Sequence, residues 1–266
     1  MNTQPVHIIK GNSPIILAMP HTGIYVPGHI KKTLNANGRS LADTDWHVDR
    51  LYRGLLPGAT IIRANFHRYV IDANRDPSGK SLYPGQNTTE LCPLTDFNGD
   101  KIYKKGREPD IDEITRRQLH YHTPYHLAMQ TEIKRLRRVH NNIVLFDCHS
   151  IRSQAPFLFA GTLPDFNIGT NGGTTCDPSL EKIVVDICHK AQGYTSVLNG
   201  RFKGGWTTRH TGDPKAGIHA IQMELAQQTY MDETKPWAYQ AARARTLRRV
   251  LRKVLHALSD SLSNFR

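Results

Sequence analysis

Short apolar runs alternate along the chain with stretches whose apolar positions recur at helical spacing. Ile15 to Met19 (IILAM) is continuous and stops at Pro20-His21-Thr22-Gly23, which predicts a buried strand running into a loop. Thr60-Ile61-Ile62 predicts a second strand, and Tyr69-Val70-Ile71 a third that ends at Asp72-Ala73-Asn74-Arg75. Asn142 to Asp147 (NIVLFD) is the clearest buried strand and leads directly into Cys148-His149-Ser150. Ala220 to Leu225 predicts one more, carrying Glu224. Between these lie helical patterns. Val48, Leu51, Tyr52 and Leu55 share one face of a helix that Asp43 or Thr44 could cap. Residues 113 to about 140 predict a helix interrupted by Pro124, and residues 179 to 192 another. A last helix follows from Thr234, with Leu247, Leu251, Val254 and Leu258 on one face. Residues 76 to 110 and the basic, glycine-rich stretch from Gly200 to Gly217 predict irregular chain.

Short strands separated by helices indicate an α/β fold with a largely parallel or mixed sheet. With no long linker, the 266 residues are expected to form a single catalytic domain over 1–266. In such sheets ligands sit beyond the carboxyl ends of the strands. His21, Arg75, His149 and Glu224 all fall at or just past predicted strand ends, where core histidines would not be placed.

Composition narrows the function classes. No apolar run is long enough to span a bilayer, and the N-terminus lacks a basic segment followed by an apolar one, so a cytoplasmic chain without a membrane partner is expected. The four cysteines form no CxxC pair, which argues for buried thiols rather than a cysteine zinc site or disulfide scaffold. The net charge of +12 favours anionic ligands. Much of it lies in two helical patterns, Lys134 to Arg138 and Arg243 to Lys253, that read as solvated faces. A basic nucleic-acid-binding domain is the competing class, but no nucleic-acid module signature supports it.

The candidate chemistry is metal-assisted hydrolysis. A catalytic zinc commonly takes two histidines and a carboxylate and keeps a position for water, with a separate glutamate as general base. HExxH is absent, so such a site must be assembled from separate strands. His21 and His149 are the histidine candidates. Asp43, Asp45 and Asp49 could each supply the acid or merely cap a helix, and Asp147 could orient the site from behind. Arg68, Asn74 and Arg75 suit a carboxylate substrate, with surface salt bridging to Asp72 and Asp76 as the alternative. Arg201, Lys203 and Arg209 lie on a loop that could close over an anion. Serine catalysis lacks a GxSxG elbow.

Taken in order, Met19-Pro-His-Thr-Gly23, Asp43-Thr-Asp-Trp-His-Val-Asp49, Arg68-Tyr-Val-Ile-Asp-Ala-Asn-Arg75, Asp147-Cys-His-Ser150 and Gln222-Met-Glu-Leu225 resemble the N-formylglutamate amidohydrolase family. Pro164 to Gly169 and Tyr230 to Glu233 match as well. The resemblance implies a three-layer α/β/α fold with a mixed, largely parallel sheet, like that of zinc carboxypeptidases and aspartoacylases. It implies one Zn2+, or another divalent ion, on His21, Asp45 and His149, with Asp49 a rival to Asp45. It further implies Glu224 as general base, Arg68 at the carbonyl, and Asn74 and Arg75 on the substrate carboxylate. Arg209 is the choice for the second carboxylate. The implied reaction is hydrolysis of N-formyl-L-glutamate in histidine degradation, by a monomer or small homo-oligomer. A different N-acyl amino acid amidohydrolase or a small carboxypeptidase is the alternative.

Overall fold

The computed structural model describes residues 4–82 and 84–263. Its centre is a seven-stranded sheet of β1 (Val6–Ile9), β2 (Ile15–Met19), β3 (Thr60–Ala64), β4 (Ile143–Ile151), β5 (Phe166–Gly169), β6 (Ser196–Leu198) and β7 (Ile218–Ala226). The spatial order is β1-β3-β2-β4-β7-β5-β6. Strands β3, β2, β4 and β7 are mutually parallel, whereas β1 pairs antiparallel to β3 and β5 antiparallel to β7. The expected mixed, largely parallel α/β sheet is therefore present.

Both faces of the sheet are covered, which is why its central strands place apolar residues on both sides rather than alternating. Ile15, Leu17 and Met19 of β2 and Val144, Phe146 and Cys148 of β4 face one layer. That layer contains α3 (Val48–Tyr52), α6 (Pro178–His189) and α8 (Ala241–Ser263). Ile16 and Ala18 of β2 and Ile143 and Leu145 of β4 face the other layer. There α1 (Gly28–Thr33), followed in the chain by the short α2 (Ala36–Ser40), contributes Ile30, and α5 (Thr123–Leu136) contributes Tyr125, Met129, Ile133 and Leu136. The apolar stripe of α8 is buried as predicted, while Arg248 on its other side donates to the backbone carbonyls of Arg50, Leu51 and Arg53. Part of the basic run thus caps the end of α3 rather than facing solvent alone. No helix among the described residues is long and apolar enough to cross a membrane.

Several expectations are corrected. The segment Tyr69 to Ile71 is not a third strand, its first two residues lying in a turn that begins at Arg68. Its residues are apolar because they fill the core, and His67 arrests the chain by accepting from Tyr69 N at Nδ1 and from Val70 N at its carbonyl. Neither Asp43 nor Thr44 caps a helix. Asp43 accepts from the Tyr69 hydroxyl and Phe97 N, Thr44 donates to Leu41 O, and His47 holds the position before α3. The stretch from Gly200 to Gly217 contains α7 (Trp206–Thr211), and the last helix starts at Ala241 rather than Thr234. Residues 111–136 form α4 (Ile111–Arg117), a π-helical turn (Gln118–His122) and α5, so the irregularity precedes Pro124, which sits harmlessly in the first turn of α5. The short strands β1, β5 and β6 have no counterpart in the apolar pattern, whereas residues 76–110 hold no helix or extended strand among those described, as expected.

Because Leu251 is fully buried between α8 and the sheet, Leu251→Ala should cost about 2–5 kcal/mol in urea unfolding. A cost below about 1 kcal/mol would mean that α8 does not complete this layer.

Candidate metal centre and cleft

Parallel strands β2, β4 and β7 lie side by side, so their carboxyl ends share one edge of the sheet. His21 follows β2 by two residues, His149 lies near the end of β4, and Glu224 sits opposite His149 on β7. Asp45 comes from the chain before α3 and is anchored by its backbone N–H to His21 O. These four side chains are almost completely buried, Glu224 being the most accessible at 7%.

His21, Asp45 and His149 form a group that could hold a metal ion. The two Nδ1 atoms are 3.2 Å apart, and Asp45 Oδ2 lies 3.3 Å from that of His149 and 3.8 Å from that of His21. A tetrahedral ion with arms of about 2.0–2.1 Å spaces its ligand atoms about 3.3 Å apart, so the triangle has the right size. The far side of each imidazole meets a buried carboxylate. His21 Nε2 is 2.6 Å from Asp72 Oδ1, and His149 Nε2 is 3.0 Å from Asp147 Oδ1. These carboxylates, hydrogen-bonded at His21 and an ionic neighbour at His149, favour a proton on Nε2 and a lone pair on Nδ1, the usual arrangement behind a metal-bound histidine.

Electrostatics agree with this geometry. Burial alone would raise the Asp45 carboxyl, but Arg68 and the two imidazoles outweigh it and hold it below the ordinary carboxylate range. Arg68 Nη2 donates to Asp45 Oδ1 at 2.9 Å, and Ser150 N donates to Asp45 Oδ2. Burial likewise works against ionised Asp72, yet His21 and Arg75 keep its carboxyl well below the usual value. Glu224 is the exception. Burial pushes it up to about 8, with His149 opposing and Asp45 adding to the rise. A raised carboxyl beside an ionised one separates a proton-carrying group from a permanent anion.

A cleft opens above this group, lined by Arg68, Asn74, Arg75, Arg201, Phe97 and Phe202 among others. It is joined to the metal-capable group through His21, His149, Gln222 and Glu224, which also line it. Three arginines on one small cleft select for anions. Gly205 closes one wall, where an added Cβ would come within 2.5 Å of the Asn74 side chain.

Residues 13–231 match the model of the N-formylglutamate amidohydrolase family. The chain belongs to that family. As a family member it is a hydrolase, and its curated relatives agree along nearly the whole length. An N-formylglutamate deformylase of Pseudomonas putida is 45% identical over 252 residues, 94% of this chain and 93% of its own. One from Pseudomonas aeruginosa is 45% identical over 250 residues, 94% of each chain. The crystal structure of an N-formylglutamate amidohydrolase from Ralstonia eutropha JMP134 shares the fold, with a TM-score of 0.81 at 24% identity over 98% of this chain and 99% of that one.

For this family member, the sequence-predicted residues His21, Asp45, His149, Arg68 and Glu224 are brought together, and Asn74 and Arg75 join them. Asp49 is not in the group, since its carboxylate is bonded to Arg63 at 2.9 Å and is partly exposed. Asn74 lies closer to the metal-capable group than expected, its Nδ2 being 3.2 Å from His149 Nε2. Arg209 is absent from the cleft lining, and its guanidinium donates to Gly204 O and Leu82 O, whereas Arg201 is present. The alternative of surface salt bridging does not hold for Asp72, which is fully buried behind His21. Its place two residues before Asn74, inside the segment that matches the family, was the available signal.

The raised carboxyl of Glu224 gives a signed prediction for the metal-free protein. Its pKa is about 8 folded against an ordinary value of 4.5, so its penalty is absent below about pH 4.5 and grows as pH rises towards 8. Metal-free Glu224→Gln should therefore melt at a higher temperature than wild type at pH 8, and equally at pH 4.5. Equal melting temperatures at pH 8 would contradict the buried placement of the carboxyl.

Proposed function

We propose that the chain hydrolyses N-formyl-L-glutamate to formate and L-glutamate, using one zinc ion on His21, Asp45 and His149. The supporting observation is the joining of the metal-capable group, Glu224 and three arginines in one cleft. The names of the curated relatives point to the same substrate. Imidazole and carboxylate donors suit zinc, although other divalent ions can bind such sets. When bound, the ion supplies Lewis acidity, making water more acidic and polarising a carbonyl.

The chain's own residues divide the remaining work. Glu224 accepts the proton of the attacking water as it adds to the formamide carbon, then delivers it to the amine nitrogen as the C–N bond breaks. Arg68 faces the developing oxyanion as a fixed positive charge, while its Nη2 stays committed to Asp45. Arg75, with Asn74 beside it, receives the α-carboxylate. Arg75 is itself fixed, donating through Nε and Nη2 to the backbone and hydroxyl oxygens of Thr89. Arg201 replaces Arg209 as the partner of the side-chain carboxylate. It too is held, by Leu158 O at 3.0 Å and Asn87 O at 2.9 Å. Held arginines lose little freedom on binding, which matters because the formyl group offers almost no contact area and the glutamate part must supply the binding energy.

Formate release from N-formyl-L-glutamate tests this directly. Glu224→Gln should retain stoichiometric zinc and lose on the order of 10²–10⁴-fold in kcat. His149→Ala should lose the metal while keeping its circular dichroism spectrum. Near wild-type turnover in Glu224→Gln would remove its role as base.

Arg201→Met should raise KM for N-formyl-L-glutamate by at least roughly tenfold while changing KM for N-formylalanine little. An equal loss on both substrates would show that Arg201 does not read the side-chain carboxylate. A panel of formyl-, acetyl- and peptidyl-glutamate separates the proposed reaction from a broader acylase or a carboxypeptidase.

A further inference from the structure

The segment from Asp72 to Arg75 belongs to no helix or strand, yet it carries the carboxylate behind His21, the amide beside His149 and an arginine of the cleft. Its backbone has no ladder to fix it, so its carbonyls must find other donors. Two of them find imidazoles. His126 Nε2 is 2.8 Å from Ala73 O, and His122 Nε2 is 3.0 Å from Arg75 O. The carbonyl between them, that of Asn74, accepts from Arg75 Nη1 and from Trp206 N.

We propose that His122 and His126 are positioning residues that clamp the Ala73–Arg75 backbone, and so set Asn74 against His149 and Arg75 in the cleft wall.

The two rings are neighbours, with centroids 4.4 Å apart, as residues four apart on a helical face should be. A carbonyl oxygen can only accept, so each imidazole carries its proton on Nε2. Burial keeps both rings neutral: it lowers His122, and it takes His126 down to about 3 with His122 adding to the effect. Neither nitrogen pair is therefore arranged for proton exchange with substrate, and neither ring lines the cleft. Their position depends on the π-helical turn, in which Thr123 N donates to Gln118 O across five residues. The extra residue resets the facing of α4 relative to α5, and such turns recur at functional sites. The segment is also held by α7, whose Thr207 N donates to Asn74 Oδ1 at 2.8 Å. Asn74 N and Arg75 N are internal reporters of the clamp, since they donate to Asp72 Oδ1 and Asp72 O.

The kinetic consequence rests on the proposed hydrolysis of N-formyl-L-glutamate, whereas the clamp itself does not. The test uses the zinc-loaded full chain with His122→Ala, His126→Ala and the matching glutamine variants, whose amide nitrogen can stand where Nε2 stood. Amide hydrogen exchange at Asn74 and Arg75 should quicken by roughly tenfold in the alanine variants, with β4 and β7 unchanged. KM for N-formyl-L-glutamate should rise by a similar factor, roughly tenfold, with zinc content intact and kcat changed much less. Glutamine should restore both. Unchanged exchange in the alanine variants, or exchange that quickens equally across the sheet, would overturn the proposal. So would glutamine variants that fold but exchange as fast as alanine. If an alanine variant fails to fold, its glutamine counterpart decides by the same exchange reading. If wild type releases no formate, the substrate reading fails while the exchange measurement still decides the clamp.

Discussion

Three acceptor atoms converge where the central strands end: Nδ1 of His21, Nδ1 of His149 and Oδ2 of Asp45, within 3.2 to 3.8 Å of one another. Lone pairs cannot share that space without a cation between them, whether a proton or a metal ion. The surroundings deepen the demand. Asp45, Asp72, Asp147 and Glu224 are buried together, and Arg68 and Arg75 are the arginines beside them. With Glu224 ionised to act as base, four carboxylates stand against two guanidinium groups, a shortfall of two that one divalent ion would fill, whereas without the ion Glu224 keeps its proton. Buried charges of one sign are tolerated only when paired, so the layout of this end of the sheet follows from that balance.

The sheet supplies position and the irregular chain supplies chemistry. Strands β4 and β7 fix His149 and Glu224 through backbone pairing that leaves little freedom, and His21, two residues past β2, is tied through its carbonyl to Asp45 N. Asp45, Arg68, Asp72, Asn74 and Arg75 come instead from connecting chain that is nevertheless buried. Such chain must satisfy its own polar groups, and it does so with side chains: Tyr69 to Asp43, Thr207 to Asn74, Gly205 to Gln222, His122 and His126 to the 73–75 carbonyls. The same bonds that make this chain buriable also aim its functional groups.

How far the sequence discloses this differs between the two parts. Continuous apolar runs mark β2 and the first half of β4 because parallel strands covered on both faces are largely apolar, and β7 is legible from Ala220 to Leu225 despite Gln222 and Glu224. Polar residues at their ends, His21, His149 and Glu224, are therefore conspicuous. Tyr69-Val70-Ile71 misleads for the same reason: it is apolar because it is buried, and burial does not require pairing. Choosing among Asp43, Asp45 and Asp49 is beyond pattern, since the three differ only in which way a short, non-helical stretch turns them. Arg201 and Arg209 likewise lie on one basic stretch, and only the path through α7 separates the one at the cleft from the one bonded to Gly204. Asp72 is invisible because a carboxylate beside arginines reads as a surface pair until its burial is known.

The central claim is that His21, Asp45 and His149 are a single ion's ligands. Anomalous diffraction at the zinc edge from crystals of the zinc-loaded protein tests it most directly. The predicted result is one strong peak bonded to both Nδ1 atoms and to Asp45 at about 2.0–2.2 Å. A peak bound through other residues, or an active enzyme with no peak between the two histidines, would contradict it.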